Sequence, residues 1–189
     1  MSPRAGIDTG AVLRAAVEIA DGKGAEAVTV SSVAQYLGIR PPSLYNHVSG
    51  MDDLRKMVAA YALQQLHDSI VASGEGKRGE EAIRSFADAY LAFVREHPGL
   101  YEIVQLAPDP RDREIGEASA RIVDLIVGLL GDYELSEEEA LHTVRGLRSL
   151  FHGFASLEGQ GGFGLPLDVK DSLDFNLNLI LEGLRRRTG

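Results

Sequence analysis

The chain has 189 residues, no cysteine, 28 acidic against 19 basic residues and a formal net charge of -9. Disulfides and thiolate metal sites are thereby excluded, and no apolar run approaches the roughly 20 residues that a membrane span requires. The length suits one domain with a full core or two small ones, and the start of the chain lacks a signal peptide's apolar stretch, so a cytoplasmic protein is expected.

Residues 1–7 read as a solvated arm, from which Arg4 could reach a minor groove. Asp8 or Thr9 caps the first predicted helix, with Val12, Leu13, Ala16, Val17, Ile19 and Ala20 as its inward stripe and glycines 22 and 24 at its end. Two shorter helices follow. Thr29 is a good N-cap before Val30, Val33, Ala34 and Leu37, and Gly38 supplies the left-handed residue that stops that helix. Arg40 precedes a proline and is pushed out of the α region, so the next helix starts at about Pro42, where missing N–H groups cost nothing. Leu44 and Val48, four residues apart, turn inward and leave Ser43, Tyr45, Asn46 and His47 outward. A helix-turn-helix whose second element shows small polar and aromatic groups is the build of a major-groove reader.

The overall acidic balance opposes binding to phosphates, but residues 1–50 are neutral: Arg4, Arg14, Lys23 and Arg40 offset Asp8, Glu18, Asp21 and Glu26. The whole of the -9 therefore lies beyond residue 50, and an acidic body discourages nonspecific attachment elsewhere.

After Ser49 and Gly50 a helix over 51–73, with Asp52 and Asp53 in its first turn, joins the reader to the rest. Residues 74–79 form a glycine-rich loop. Ala82, Ile83, Phe86, Ala87, Tyr90, Leu91 and Val94 then make a helical stripe up to Pro98. A short helix over 100–104 ends before Pro108 and Pro110, and another over 115–130 is closed by Gly131 and Asp132. Ser136 with Glu139 is a capping box that opens a long helix through Leu141, Val144, Leu147, Phe151 and Phe154. Gly146 and Gly153 share one of its faces, and since each costs about 0.8–1.0 kcal/mol in a helix interior, another helix is expected to approach there. The last helix, about 167–186, is apolar on two faces, with Leu173, Leu177, Ile180, Leu181 and Leu184 on one and Phe175 and Leu179 on the other. Arg185, Arg186 and Arg187 suit the negative end of that helix. With no period-two pattern anywhere, the expected fold is all-α.

The last two helices are accordingly expected to build a two-fold four-helix interface from Val144, Gly146, Phe151, Gly153, Leu173, Leu177, Ile180 and Leu184. The alternative is that they close only their own core.

At Val12-Leu13, Thr29-Val30, Val33-Ala34, Leu37-Gly38-Ile39 and Ser43-Leu44-Tyr45-Asn46-His47-Val48 the sequence resembles the TetR family of bacterial transcriptional regulators. Phe151-His152-Gly153-Phe154 is similar to a motif in one group of that family's C-terminal domains. The resemblance implies a DNA-binding domain over 1–50, packed by the start of the next helix, and a ligand-binding and dimerisation domain over 51–189. It implies phosphate contacts for Thr29, Ser43, Tyr45 and His47. Side-chain chemistry adds Arg40 for guanine, Asn46 for adenine, Pro41 and Pro42 for thymine methyl groups, and Ser31 as a further candidate. Met51 stands where many members carry a phosphate-contacting lysine. The resemblance also implies a small-molecule effector among the middle helices, near Phe86, Tyr90, Tyr101, Phe151 and His152; His67 is a further candidate from its place far along the connecting helix. The expected partners are double-stranded DNA, a second copy and that effector, with no membrane, cofactor or metal. The family's common mode is repression.

The rival reading is a small helical ligand carrier or enzyme without DNA binding. No nucleophile elbow, phosphate-cradling loop between strand and helix, or metal-spaced histidine pair supports it. Glutamates 137–139 point in different directions and are explained by the capping box, and glycines 159–164 form a lone loop.

Overall fold

The computed structural model describes residues 7–106 and 112–186, and among them every regular element is helical. Arg4, Pro108, Pro110 and Arg187, given roles above, lie outside the described residues. The chain forms two compact units, and they do not divide at residue 50. The first runs to Gln65 and resumes over Glu96–Ala118; the second comprises Leu66–Arg95 and the chain from Ser119 onward.

In the first unit α1 (Thr9–Lys23) is capped by Asp8, whose carboxylate accepts the Ala11 N–H at 2.6 Å. Gly24, at φ 86°, ends it. Its stripe of Val12, Ala15, Ala16, Ile19 and Ala20 is buried, and the three alanines keep the helix surface thin enough for close neighbours. A 3-10 turn over Ala25–Ala27 leads to α2 (Val30–Tyr36), which packs on α1, and then α3 (Pro41–Leu44), which packs on α2. The helix α4 (Met51–Gly74) starts in this unit and continues into the second.

Pro98 does more than stop the preceding helix. It is the first residue of α6 (Pro98–Gln105), which packs along α1 and the 3-10 turn. At Gly99 a Cβ would stand 2.0 Å from the Ala20 carbonyl oxygen, so only glycine lets the two backbones meet. Beside it the His97 ring binds the Asp21 carboxylate at 2.8 Å. Leu100, Tyr101 and Ile103 are buried. The N-terminal end of α7 (Arg113–Leu129) completes the unit, and its Glu114, with Asp112 just before it, holds Lys56 of α4 at 3.3 and 2.9 Å.

The second unit contains α5 (Gly79–Glu96), the remainder of α7, α8 (Glu137–Gly159) and α9 (Val169–Arg185). The expected capping box opens α8: Ser136 Oγ accepts the Glu139 N–H and the Glu139 carboxylate accepts the Ser136 N–H. Asp168 caps α9 by accepting from Lys170 and Asp171, which starts that helix two residues later than expected. Phe86, Tyr90 and Phe151 pack edge-on and tilted, with ring centroids 5.1 to 6.1 Å apart. Ion pairs tie the periphery, Arg95 with Glu158 at 2.9 Å and Lys170 with Asp88 and Asp174 at 3.0 and 2.7 Å.

Candidate nucleic-acid interface

Local hydrogen bonds set the geometry of the reading segment. Thr29 Oγ1 accepts the Ser32 N–H at 3.0 Å, and Ser32 Oγ accepts the Thr29 N–H at 2.9 Å, a reciprocal cap that starts α2. Ser32 also donates to the Ala27 carbonyl at 2.7 Å. Sequence reading missed this residue, although its place three positions after an N-cap threonine was the available signal. At the other end Gly38, at φ 68°, donates to the Gln35 carbonyl while Ile39 donates to that of Ala34, and this pair of bonds turns the chain sharply toward α3.

Arg40 is extended at φ -80° and ψ 142° and caps α3, so the helix begins at Pro41, one residue earlier than expected. The helix is also shorter. Regular structure stops at Leu44, and Tyr45, Asn46 and His47 sit in the following turn, where His47 donates to the Leu44 carbonyl at 2.9 Å. Leu44 and Val48 are buried. Thr29, Ser31, Arg40, Pro41, Pro42, Ser43, Tyr45 and Asn46 are exposed, and His47 is half-buried. Eight of the nine expected DNA-facing residues are thus exposed on the first unit, and His47 is partly so. The Thr29 hydroxyl is already engaged by the cap and by Ser32 Oγ, so it enters any phosphate contact as an occupied group.

Ser49 donates its N–H to Asp53 at 2.8 Å and Leu54 donates to the Gly50 carbonyl, which fixes α4 in register with the ridge. Met51 is half-buried and uncharged. Asp112 holds the Lys56 ammonium above its ordinary lysine range, first through the hydrogen bond, and Lys56 in turn lowers the Asp112 carboxyl.

The other expected sites are less uniform. Phe86, Tyr90 and Phe151 meet in the second unit, where their rings fill the core. His67 and His152 are half-buried in that unit, while Tyr101 is buried in the first. A cavity of about 180 Å³ lies at the α8–α9 loop, lined by Phe163, Leu165, Leu167 and Val169, and none of the expected effector residues borders it.

Five of the expected two-fold contacts need correction. Val144, Phe151, Leu173, Leu177 and Leu184 are buried within the single chain, because the Leu173 face of α9 is the one turned inward. Gly146 and Gly153 have open space where a Cβ would be, and Ile180 is half-buried. The outward apolar groups are Leu141 and Leu157 on α8 and Phe175 and Leu179 on α9, between 42% and 64% exposed.

A capped first helix, a left-handed glycine turn and an exposed ridge on a second helix define a helix-turn-helix DNA-binding protein. Residues 12–58 match the family described as bacterial regulatory proteins, tetR family, and residues 83–180 match the tetracyclin repressor-like C-terminal domain. The chain belongs to the TetR family of transcriptional regulators, which are not enzymes. It is 38% identical to an uncharacterised HTH-type transcriptional regulator, YobS, of Bacillus subtilis (strain 168), over 97% of this chain and 96% of that protein. A solved protein of unknown function from Rhodococcus sp. RHA1 shares the fold with a TM-score of 0.81 at 17% identity, covering 97% of this chain and 98% of that one. A TetR variant from Acinetobacter baumannii AYE, solved in complex with minocycline, gives a TM-score of 0.72 at 18% identity, covering 97% and 99%.

Proposed function

We propose that this regulator is a cytoplasmic homodimeric repressor, seated on a roughly palindromic operator and released by a small-molecule effector. The observation that carries the reading is the ridge from Arg40 to Asn46, solvent-facing on a scaffold whose Leu44 and Val48 are buried. Arg40 reads guanine, Asn46 reads adenine, the two prolines meet thymine methyl groups, and Ser43, Tyr45 and His47 bind phosphate. Two copies place their ridges in successive major grooves, about 34–36 Å apart. Support for self-association comes from the exposed Phe175 and Leu179 and the open faces of Gly146 and Gly153. Support for a ligand comes from the minocycline complex of a protein with the same fold. An effector acts through its differential affinity for the two dimer geometries, typically worth 1–3 kcal/mol.

Selection of bound fragments from the source genome, followed by gel shifts on the recovered duplex, tests the reading. Asn46→Ala should relax preference at one base pair by about 1–3 kcal/mol, while Tyr45→Ala should weaken every sequence alike. Retention of both affinity and preference in both variants would refute the assignment. Gly153→Leu should reduce the sedimenting mass to that of a single chain, and an unchanged dimer would refute the proposed association face.

A further inference from the structure

The described cations of the first unit fall into two groups. Arg14 lies 3.9 Å from Asp8, Lys56 sits between Asp112 and Glu114, and Arg113 binds Glu117 at 2.7 Å. Lys23, Arg40 and Arg55 have no ion-pair partner among the described residues. Lys23 is in the last turn of α1, where a cation is explained by the helix dipole. Arg40 belongs to the ridge. That leaves Arg55, exposed and unspoken for.

Its position is specific. Arg55 is one turn beyond Met51, about 6 Å along the axis, and so shares an edge of α4 with the residue that directly follows the reading segment. This end of the helix is registered to the ridge by the Ser49 to Asp53 bond, by the Leu54 to Gly50 bond and by burial of Val48 and Leu54. The neighbouring Lys56 points elsewhere, captured by two carboxylates. Asp52, three residues before Arg55 and also exposed, makes no ion pair with it and by itself would repel a phosphate. A guanidinium offers a planar fork of donors suited to a phosphate oxygen pair, and here no acid among the described residues occupies it.

We propose that Arg55 is a backbone-phosphate contact of the DNA complex, supplying from the second turn of α4 the cation that Met51 does not. The assignment rests on the DNA-binding reading above. It positions the ridge and carries no sequence information.

The test measures affinity for the genome-selected duplex against salt concentration, using the full chain and three variants. Each dimer loses two phosphate contacts, which lowers the slope of log affinity on log salt by about 1.8, so a fourfold rise in salt should weaken Arg55→Ala about 12-fold less than the unsubstituted chain. The ranking of base-substituted duplexes should be unchanged, and Arg55→Lys should restore most of the slope. Arg113→Ala, an equal change of charge at a paired arginine of the same unit, should leave the slope alone. A slope for Arg55→Ala equal to that of Arg113→Ala overturns the assignment. Absence of salt-dependent binding by the unsubstituted chain overturns the DNA-binding reading itself.

Discussion

The reading segment and the α8–α9 pair are held together in different ways. Between Ala27 and Val48 the conformation is fixed by short-range hydrogen bonds, the Thr29–Ser32 cap, the Gly38 turn and the Arg40 entry into α3, with Val33, Ala34, Leu44 and Val48 as its buried anchors. In α8 and α9 the helices are long, and large side chains do the holding: Leu147, Phe151, Leu173, Leu177 and Leu181 are each no more than 1% exposed. A segment that must present polar groups to a duplex has little surface left for a core, so its order comes from caps and turns. A segment that faces its own unit can rely on apolar area, which is worth about 25 cal/mol for each Å² buried. Damage should accordingly be graded, severe in the second region and mild in the first.

The largest effect is expected at Phe151. Phe151→Ala empties the centre of the aromatic cluster and should cost about 3–5 kcal/mol in a urea titration. A loss under about 1 kcal/mol would show that the cluster collapses around the vacancy. Gly99→Ala comes next. It drives a methyl group into the Ala20 backbone, and forced overpacking of this kind costs about 1–3 kcal/mol. Amide exchange on α1 and α6 should rise with it, and unchanged protection in both would break the picture of a tight backbone contact. The smallest effect is at the cap of α2, where Thr29→Ala should cost about 1 kcal/mol. Thr29→Ser should recover most of that loss, because the serine hydroxyl accepts the same N–H.

The reading segment was legible in the sequence because its determinants are neighbours along the chain. Thr29, Gly38, Arg40 and the two prolines each act on residues within a few positions, and the Leu44 and Val48 pair assigns the inward side. Even there the length of α3 was overread: after Leu44 the Asn46 and His47 N–H groups bond the carbonyls three residues back, closing a tight turn in place of a further helical one. The sidedness of α9 was not legible. Both of its faces are apolar, and only packing against other helices of its unit decides that Leu173, Leu177 and Leu181 turn in while Phe175 and Leu179 turn out. The membership of α6 was hidden for another reason. Gly99 beside Pro98 reads as a simple stop, and nothing within a helix length of it announces α1, more than seventy positions earlier, as its neighbour.

That meeting of α6 with α1 leaves the first unit without slack at one point. Where two helices touch through side chains, a small displacement of one is absorbed as rotamers change. Here a carbonyl group abuts a bare α-carbon, and there is no pliable layer between them. A push delivered to the front of α6 would reach α1 undiminished, and with it the helix on which α2 rests and, through α2, α3.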